Sequence, residues 1–98
     1  MALSTNDRGK LEKIIDHVIS EAGNYVKACR QPEIKKGLMI QREEDFVLGW
    51  SLGTVVSDFS NYFFQANRRM ITLDELFEVV KIVIMRIREI RDEIYKAG

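Results

Sequence analysis

Cysteine, proline and hairpin-forming dipeptides are nearly missing from this 98-residue sequence. It holds one cysteine, Cys29, one proline, Pro32, and no Asn-Gly or Asp-Gly pair. A single cysteine excludes an intrachain disulfide, which is typical of a reducing compartment and unlike a small secreted scaffold. Asn-Gly and Asp-Gly are the strongest short-range signals for a β-hairpin. We therefore expect a cytoplasmic protein without hairpins.

A net charge is missing too, because fifteen basic residues balance fifteen acidic ones. Nucleic-acid binders and polybasic membrane binders normally carry an excess of positive charge, so neither class is favoured. The first eight residues lack the apolar core of a signal peptide. The longest weakly charged stretch, 46–67, would place Asp58 near the middle of a bilayer, at a cost of about 3 kcal/mol. We expect no membrane span.

What the sequence does contain is three long segments with apolar residues at spacings of three and four, the period of an amphipathic helix. Predicted helix 1 covers 7–30, predicted helix 2 covers 43–67, and predicted helix 3 begins after Thr72. Their apolar stripes are, in order, Leu11, Ile15, Val18, Ala22, Tyr25 and Cys29; Leu48, Leu52, Val55, Phe59, Tyr62 and Ala66; and Leu73, Leu76, Val80, Val83, Ile87, Ile90 and Ile94. The third stripe alternates three and four over three heptads, which predicts one continuous helix.

Local signals indicate where these helices begin and end. Asn6 or Asp7 is a suitable cap for helix 1, and Pro32 disfavours helical geometry at the residue before it. Thr72 and Glu75 have the spacing of a capping box, in which each side chain accepts a hydrogen bond from the other residue's amide. The start of helix 3 is therefore the best-defined boundary in the sequence.

The connector after helix 1, residues 31–42, is expected to be structured. Pro32 suits the first turn of a helix and Gly37 suits its end, so 32–36 can form a single short turn. The apolar run Leu38–Ile40 would be unfavourable in a linker exposed to water. We expect this run to pack over the end of the helices.

Predicted helices 2 and 3 carry more apolar surface than one monomer can bury. Five apolar residues of helix 3 lie off its heptad stripe, namely Phe77, Val79, Ile82, Ile84 and Met85. A helix that is apolar nearly all round is typical of a buried helix. We predict a single all-α domain over 1–98, an antiparallel three-helix bundle (up-down-up) that is completed by oligomerisation. The alternative is a monomer in which the connector and the N-terminal residues cover the excess surface.

Three residues whose side chains could act in catalysis or metal binding are interpreted as structural. Asp58 lies on a polar stripe of helix 2, where an exposed carboxylate is a simpler interpretation than a perturbed acid. His17 has only Glu21 as a neighbouring ligand, whereas a metal site needs three or four ligands. Cys29 lies on an apolar stripe and is expected to be a small core residue.

The main basic cluster of the sequence comprises Arg68 and Arg69 in the turn before helix 3, and Lys81, Arg86, Arg88 and Arg91 on that helix. The candidate phosphate-binding residues among them are Arg68, Arg69, Lys81 and Arg88. Phosphate binding is its functional interpretation, which makes a nucleic-acid-binding accessory protein the alternative function. Acidic residues one helical turn away neutralise much of this charge, as Asp92 does for Arg88. Nucleic acid is therefore not the favoured partner.

The favoured function is a non-enzymatic protein–protein interaction or assembly module. Catalysis needs polar groups that converge, and here the polar residues are dispersed, so we expect neither an enzyme nor a cofactor. The expected partner is a second copy of the chain, in a homodimer or higher oligomer, or a larger protein complex. The predicted interface residues are Trp50, Gly53, Phe63, Phe64, Phe77, Ile84 and Met85.

Overall fold

Five helices are found in the computed structural model, which describes residues 3–98. In chain order they are α1 (Thr5–Cys29), α2 (Pro32–Gly37), α3 (Glu43–Asn67), α4 (Leu73–Met85) and α5 (Ile87–Lys96). No β-strand occurs within residues 3–98. The all-α prediction is confirmed, although the helices number five where the sequence analysis predicts three.

Helix α1 begins earlier than predicted because Ser4, rather than Asn6 or Asp7, caps it. The Ser4 hydroxyl accepts a hydrogen bond from the Asp7 amide over 3.1 Å, which satisfies one of the free amides of the first turn. The buried Asp7 carboxylate instead accepts a hydrogen bond from the Tyr62 hydroxyl of α3 over 2.9 Å. Asp7 therefore connects α1 to α3 instead of capping its own helix.

The core lies where α1 packs on α3 and α5, and α3 also contacts α4. The buried apolar residues of α1 are Leu11, Ile15, Val18, Ala22, Val26 and Cys29. This is the predicted stripe of helix 1 with Val26 in place of Tyr25, which is half-buried. Each large side chain in such a stripe contributes roughly 1.5–3 kcal/mol on burial, so this stripe orients α1.

Helix α3 has the predicted bounds but turns a different side to the core. Its buried residues are Val47, Ser51, Val55, Phe59 and Phe63. They repeat every fourth residue, a row inclined to the helix axis that forms a ridge where helices cross. Leu48 and Leu52 of the predicted stripe are only half-buried. Phe63, predicted as an interface residue, is 1% exposed, so we remove it from the predicted interface.

The predicted third helix is broken, contrary to expectation, at Arg86. The backbone there has φ −113° and ψ 13°, and its guanidinium contacts carboxylates on two helices. It lies 3.1 Å from Glu12 and 2.6 Å from Asp16, both on α1, and 2.7 Å from Glu89 on α5. These contacts hold the junction of α4 and α5 against α1.

The break divides the predicted heptad stripe into two halves with different surroundings. After the break, Ile90 and Ile94 are buried as the stripe predicts. Before the break, Val83 of the stripe is buried but Leu73 is 63% exposed, and Val79 and Ile82, which lie off the stripe, are in the core. Helix α4 packs mainly on α3, whereas α5 packs on both α1 and α3. The two halves therefore turn different sides inward.

The connector is structured as predicted, but most of its apolar run is exposed. Helix α2 has Pro32 in its first turn, which suits the fixed φ of proline. Of the run 38–40, only Ile40 is buried, whereas Leu38 and Met39 are exposed. Met39 has a left-handed φ of 53°, which reverses the chain and turns its side chain to solvent. The expectation that the whole run covers the helix ends is wrong.

Candidate interaction surface

One side of α4 presents large apolar side chains to solvent. Leu73 is 63% exposed, Phe77 is 53% exposed and Ile84 is 59% exposed. Their spacings of four and seven residues place them on one side of the helix, with half-buried Val80 between them. We call Leu73, Phe77, Val80 and Ile84 the α4 face. A folded chain rarely leaves such a row unpaired, because contiguous apolar patches mark interaction sites.

The opposite side of α4 fixes the direction in which this face points. Its buried residues are Glu75, Val79, Ile82 and Val83. The capping box predicted from the sequence is present, because the Thr72 hydroxyl accepts from the Glu75 amide and the Glu75 carboxylate accepts from the Thr72 amide. Because the cap fixes the first residue of α4 and the opposite side of the helix is buried, the α4 face is held towards solvent.

An ion pair between the half-exposed Arg69 and the buried Glu75 stabilises the start of α4. The two terminal guanidinium nitrogens of Arg69, Nη1 and Nη2, donate to the Glu75 carboxylate at 2.8 Å, the two-pronged geometry that arginine forms with carboxylates. The Arg69 guanidinium, with help from the Thr72 hydrogen bonds, lowers the pKa of Glu75 to about 2 in spite of its burial. The same guanidinium lies 4.8 Å from the centre of the Phe63 ring. Arg69 therefore joins the end of α3 to the beginning of α4.

Two further exposed side chains lie where α3 leads into α4. Helix α3 ends at Arg68, whose left-handed φ of 57° turns the chain away from the helix axis. Phe64, from the last turns of α3, and Met70, from the loop, line one surface cleft together with Ile71. Phe64 and Met70 are both exposed. The cleft enlarges the apolar surface at the N-terminal end of the α4 face.

The predicted interface residues do not form one surface. Phe64, Phe77, Ile84 and Met85 are exposed on the end of α3 and on α4. Trp50 stacks on Tyr25 of α1, with ring centres 4.8 Å apart and an interplanar angle of 12°, so much of its surface is already used. Gly53 is exposed, and a Cβ added there would meet nothing within 4 Å. Nothing within the chain requires glycine at that position.

The sequence analysis did not include Leu73 and Met70 in the surface. Leu73 was assigned to the heptad stripe, and no prediction was made for Met70. A signal was present nevertheless, since Leu73, Phe77 and Ile84 are spaced by four and seven residues. The stripe and the α4 face share Leu73 and Val80, so the sequence pattern alone did not show whether Leu73 is turned towards the core or towards solvent.

The predicted basic cluster is divided by the fold. Arg69 is paired with Glu75, whereas Arg68, Lys81 and Arg88 are exposed and form no ion pair with residues 3–98. Arg86, which we expected nearby, is occupied by three carboxylates that raise its pKa, Glu89 most strongly. The phosphate-binding interpretation of Arg68, Lys81 and Arg88 stays a prediction.

The three residues considered for catalysis or metal binding, Asp58, His17 and Cys29, each have their own surroundings. Asp58 and His17 are exposed, and Glu21, the predicted neighbour of His17, accepts a hydrogen bond from Asn24 over 2.7 Å. Cys29 is buried, its thiol donates to the Val26 carbonyl, and burial raises the pKa of that thiol. Across residues 3–98 there is no group of three side chains suited to hold a metal ion.

The membrane question has a direct structural answer for the described residues. None of the helices between Leu3 and Gly98 combines the length and the apolar character needed to cross a bilayer.

Comparison with protein-family models, with curated proteins and with solved structures found no match to this chain. The functional argument therefore depends on the geometry of the chain itself.

Proposed function

We propose that this protein is a non-enzymatic assembly module that associates with a second copy of itself through the α4 face. The observation that supports the proposal is the exposure of Leu73, Phe77 and Ile84, each more than half, along one side of a helix whose other side is fixed in the core. Burying large apolar side chains is the main favourable contribution to protein association. A second copy offers the same surface, and two-fold homodimers are the commonest assemblies.

The available area supports a dimer contact. A half-exposed large side chain presents on the order of 100 Å², and six such residues lie on or beside α4. They are Phe64, Met70, Leu73, Phe77, Ile84 and Met85. Together they offer roughly 600 Å² per chain, which approaches the 800 Å² or so that each partner buries in an interface of standard size.

We also propose a finer description of the fold. In it, α1, α3 and the pair α4–α5 form an antiparallel three-helix bundle whose third helix is broken at Arg86. The contacts of α1 with α3 and α5, and of α3 with both α4 and α5, are those expected of such a bundle. The lone, buried Cys29 supports a cytoplasmic location, since free cysteines persist in reducing compartments.

Light scattering over a range of concentrations tests the assembly proposal, with Ile84→Glu as the disrupting variant. A dimer buries Ile84 twice, so two carboxylates in the contact should weaken association by at least about a hundredfold. Leu38→Glu is the matched control, because Leu38, directly after α2, is 58% exposed. We expect the control to keep the wild-type mass and Ile84→Glu to be monomeric and folded.

Two other results would contradict self-association or place the contact elsewhere. A wild-type chain that stays monomeric up to millimolar concentration contradicts self-association. A dimer that Ile84→Glu leaves intact but Leu38→Glu disrupts moves the contact to α2. Circular dichroism of both variants shows whether either substitution has changed the fold.

A further inference from the structure

The turn that ends α2 presents large apolar side chains to solvent. Met39 is 81% exposed and Leu38 beside it is also exposed. Ile34, one helical turn before Leu38, is exposed on the same side of α2. We call residues 34–39 the α2 tip. None of the six residues of α2, Pro32–Gly37, is buried, so this helix contributes no buried side chain to the core.

The backbone at Met39 has the conformation of a helix end that normally carries glycine. The Met39 amide donates to the Lys36 carbonyl over 3.2 Å. The next amide, that of Ile40, donates to the Lys35 carbonyl over 3.0 Å, and the two bonds together form a Schellman cap. The residue with positive φ in this cap, here Met39 at 53°, is usually glycine, because a Cβ is disfavoured there. The fold itself therefore has no requirement for methionine at this position.

Cations cluster around the α2 tip, although the chain as a whole carries no net charge. Between residues 22 and 42 the sequence holds one acidic residue, Glu33, and five basic ones. The basic residues are Lys27, Arg30, Lys35, Lys36 and Arg42, and all five are exposed. The neutral total of the chain therefore conceals a local excess of positive charge beside the exposed apolar side chains.

The acidic start of α3 neutralises only part of this excess. Two of its carboxylates hold three of the five cations, in the pairs Glu43–Arg30, Glu43–Lys35 and Asp45–Arg42. Lys27 and Lys36 form no ion pair with residues 3–98. Five cations against these two carboxylates and Glu33 leave the surroundings of the α2 tip positively charged.

We propose that the α2 tip docks on the surface of an anionic lipid bilayer. Leu38 and Met39 enter the boundary between headgroups and acyl chains, and the surrounding cations contact the anionic headgroups. Apolar side chains beside exposed lysine and arginine are the combination by which a protein lies on a membrane without crossing it. The proposal is independent of assembly through the α4 face, which belongs to a different helix.

The size of the apolar area favours a bilayer over a protein as the partner. The three large side chains of the α2 tip present on the order of 300 Å², far below the 800 Å² or so that each partner buries in a standard protein interface. A bilayer sets no such threshold, because each inserted side chain contributes in proportion to its own buried area. Lysine and arginine can keep their charged ends among the headgroups while their stems lie along apolar surface.

Vesicle sedimentation of the full chain tests the proposal. The probes are vesicles of phosphatidylcholine alone and vesicles that also contain about 30% phosphatidylserine, which supplies the negative surface potential. We expect binding to the anionic vesicles to be at least about tenfold tighter than to the neutral ones, and to weaken as salt rises. No binding to the anionic vesicles, or equal binding to both kinds, overturns the proposal.

Met39→Gly separates docking from stability. Glycine relieves the positive φ at this position, so the variant should melt no lower than wild type. It should nevertheless bind anionic vesicles about tenfold more weakly, because an inserted side chain is lost. Met70→Gly is the matched control, since Met70 is 76% exposed beyond the far end of α3 and should bind like wild type. A Met39→Gly chain that binds like wild type, or equal weakening in both variants, overturns insertion of the α2 tip.

Lys36→Glu tests the contribution of charge. Lys36 has no ion pair to lose within residues 3–98, so its melting temperature should stay that of wild type. Binding to anionic vesicles should weaken about thirtyfold, because each unit of charge at such a surface contributes about fivefold. Lys81→Glu makes the same change of total charge on α4 and should stay within about threefold of wild type. A chain weakened by Lys36→Glu but not by Met39→Gly recognises negative charge alone, as on a soluble polyanion or an acidic protein, which overturns the bilayer as the partner.

Discussion

Glu75 holds the start of α4, and replacing it by glutamine should reduce stability in a way that depends on pH. The carboxylate is 3% exposed and accepts hydrogen bonds from the Thr72 amide and from two nitrogens of Arg69. Glutamine keeps the shape and an oxygen for the Thr72 amide, but it removes the negative charge. The variant therefore isolates the ion pair from the cap.

The magnitude follows from the pKa of Glu75. Folding lowers this pKa from 4.5 to about 2, and each whole step in pKa corresponds to about 1.4 kcal/mol. The upper limit is about 3 kcal/mol, and because the Arg69 side chain is half exposed, solvent screening reduces the expected contribution to about 2 kcal/mol. Because the folded pKa is the lower one, this contribution is complete above pH 4.5 and is lost as pH falls towards 2.

Urea unfolding followed by circular dichroism measures the effect at pH 7 and at pH 3. We expect Glu75→Gln to be less stable than wild type by about 2 kcal/mol at pH 7, and the difference to fall to less than half at pH 3. Glu33→Gln, at an exposed position of α2, should stay within about 0.5 kcal/mol of wild type at both values. A Glu75→Gln chain that loses as much stability as wild type on acidification would refute the reasoning.

Three further predictions concern the core, the junction and the basic residues. Phe59→Ala should lower the free energy of unfolding by about 3–5 kcal/mol in urea, because Phe59 is fully buried. Phe64→Ala should change the stability of the monomer by less than about 1 kcal/mol and weaken dimerisation measured by light scattering. Equal losses of stability for the two variants would contradict the assignment of core and surface. Arg86→Met should cost about 1–3 kcal/mol in the same assay, because the Glu12 carboxylate and carbonyl both lose a donor, and a neutral result would show that the junction is held by apolar packing alone. Titration with duplex DNA at two salt concentrations should detect only weak binding that disappears as salt rises, since the fifteen basic residues of the chain are balanced by fifteen acidic ones; tight binding that is insensitive to salt would contradict this.

Local chemistry made part of the fold predictable. The bounds of α3 agree with the apolar periodicity, and the Thr72–Glu75 capping box needs only four consecutive residues. The break at Arg86 could not be predicted, because no proline or glycine lies between 72 and 96 and the heptad pattern continues through it. At the break Arg86 contacts Glu12 and Asp16, which lie 74 and 70 positions earlier in the chain.

The residues of the candidate surface, too, could be predicted from the sequence only in part. Phe77 and Ile84 were predicted because they lie off the heptad stripe, and both are exposed. Phe63 was assigned to the surface because it lies off the most regular stripe of its helix, yet the core follows a row of residues spaced by four that includes it. Which of two adjacent apolar rows is buried depends on the angle at which helices cross, and that angle is a property of the assembled chain.

The junction at Arg86 has a consequence for the segment that contains it. No proline or glycine lies between residues 72 and 96. The guanidinium of Arg86, at the break, contacts the carboxylates of Glu12 and Asp16 on α1. Residues 72–96, freed from those groups, have every local reason to form a straight rod of about 36 Å with an uninterrupted leucine, valine and isoleucine stripe. We therefore infer that the break is imposed from outside the segment, because Glu12 and Asp16 on α1 hold the guanidinium of the residue at which the helix is interrupted.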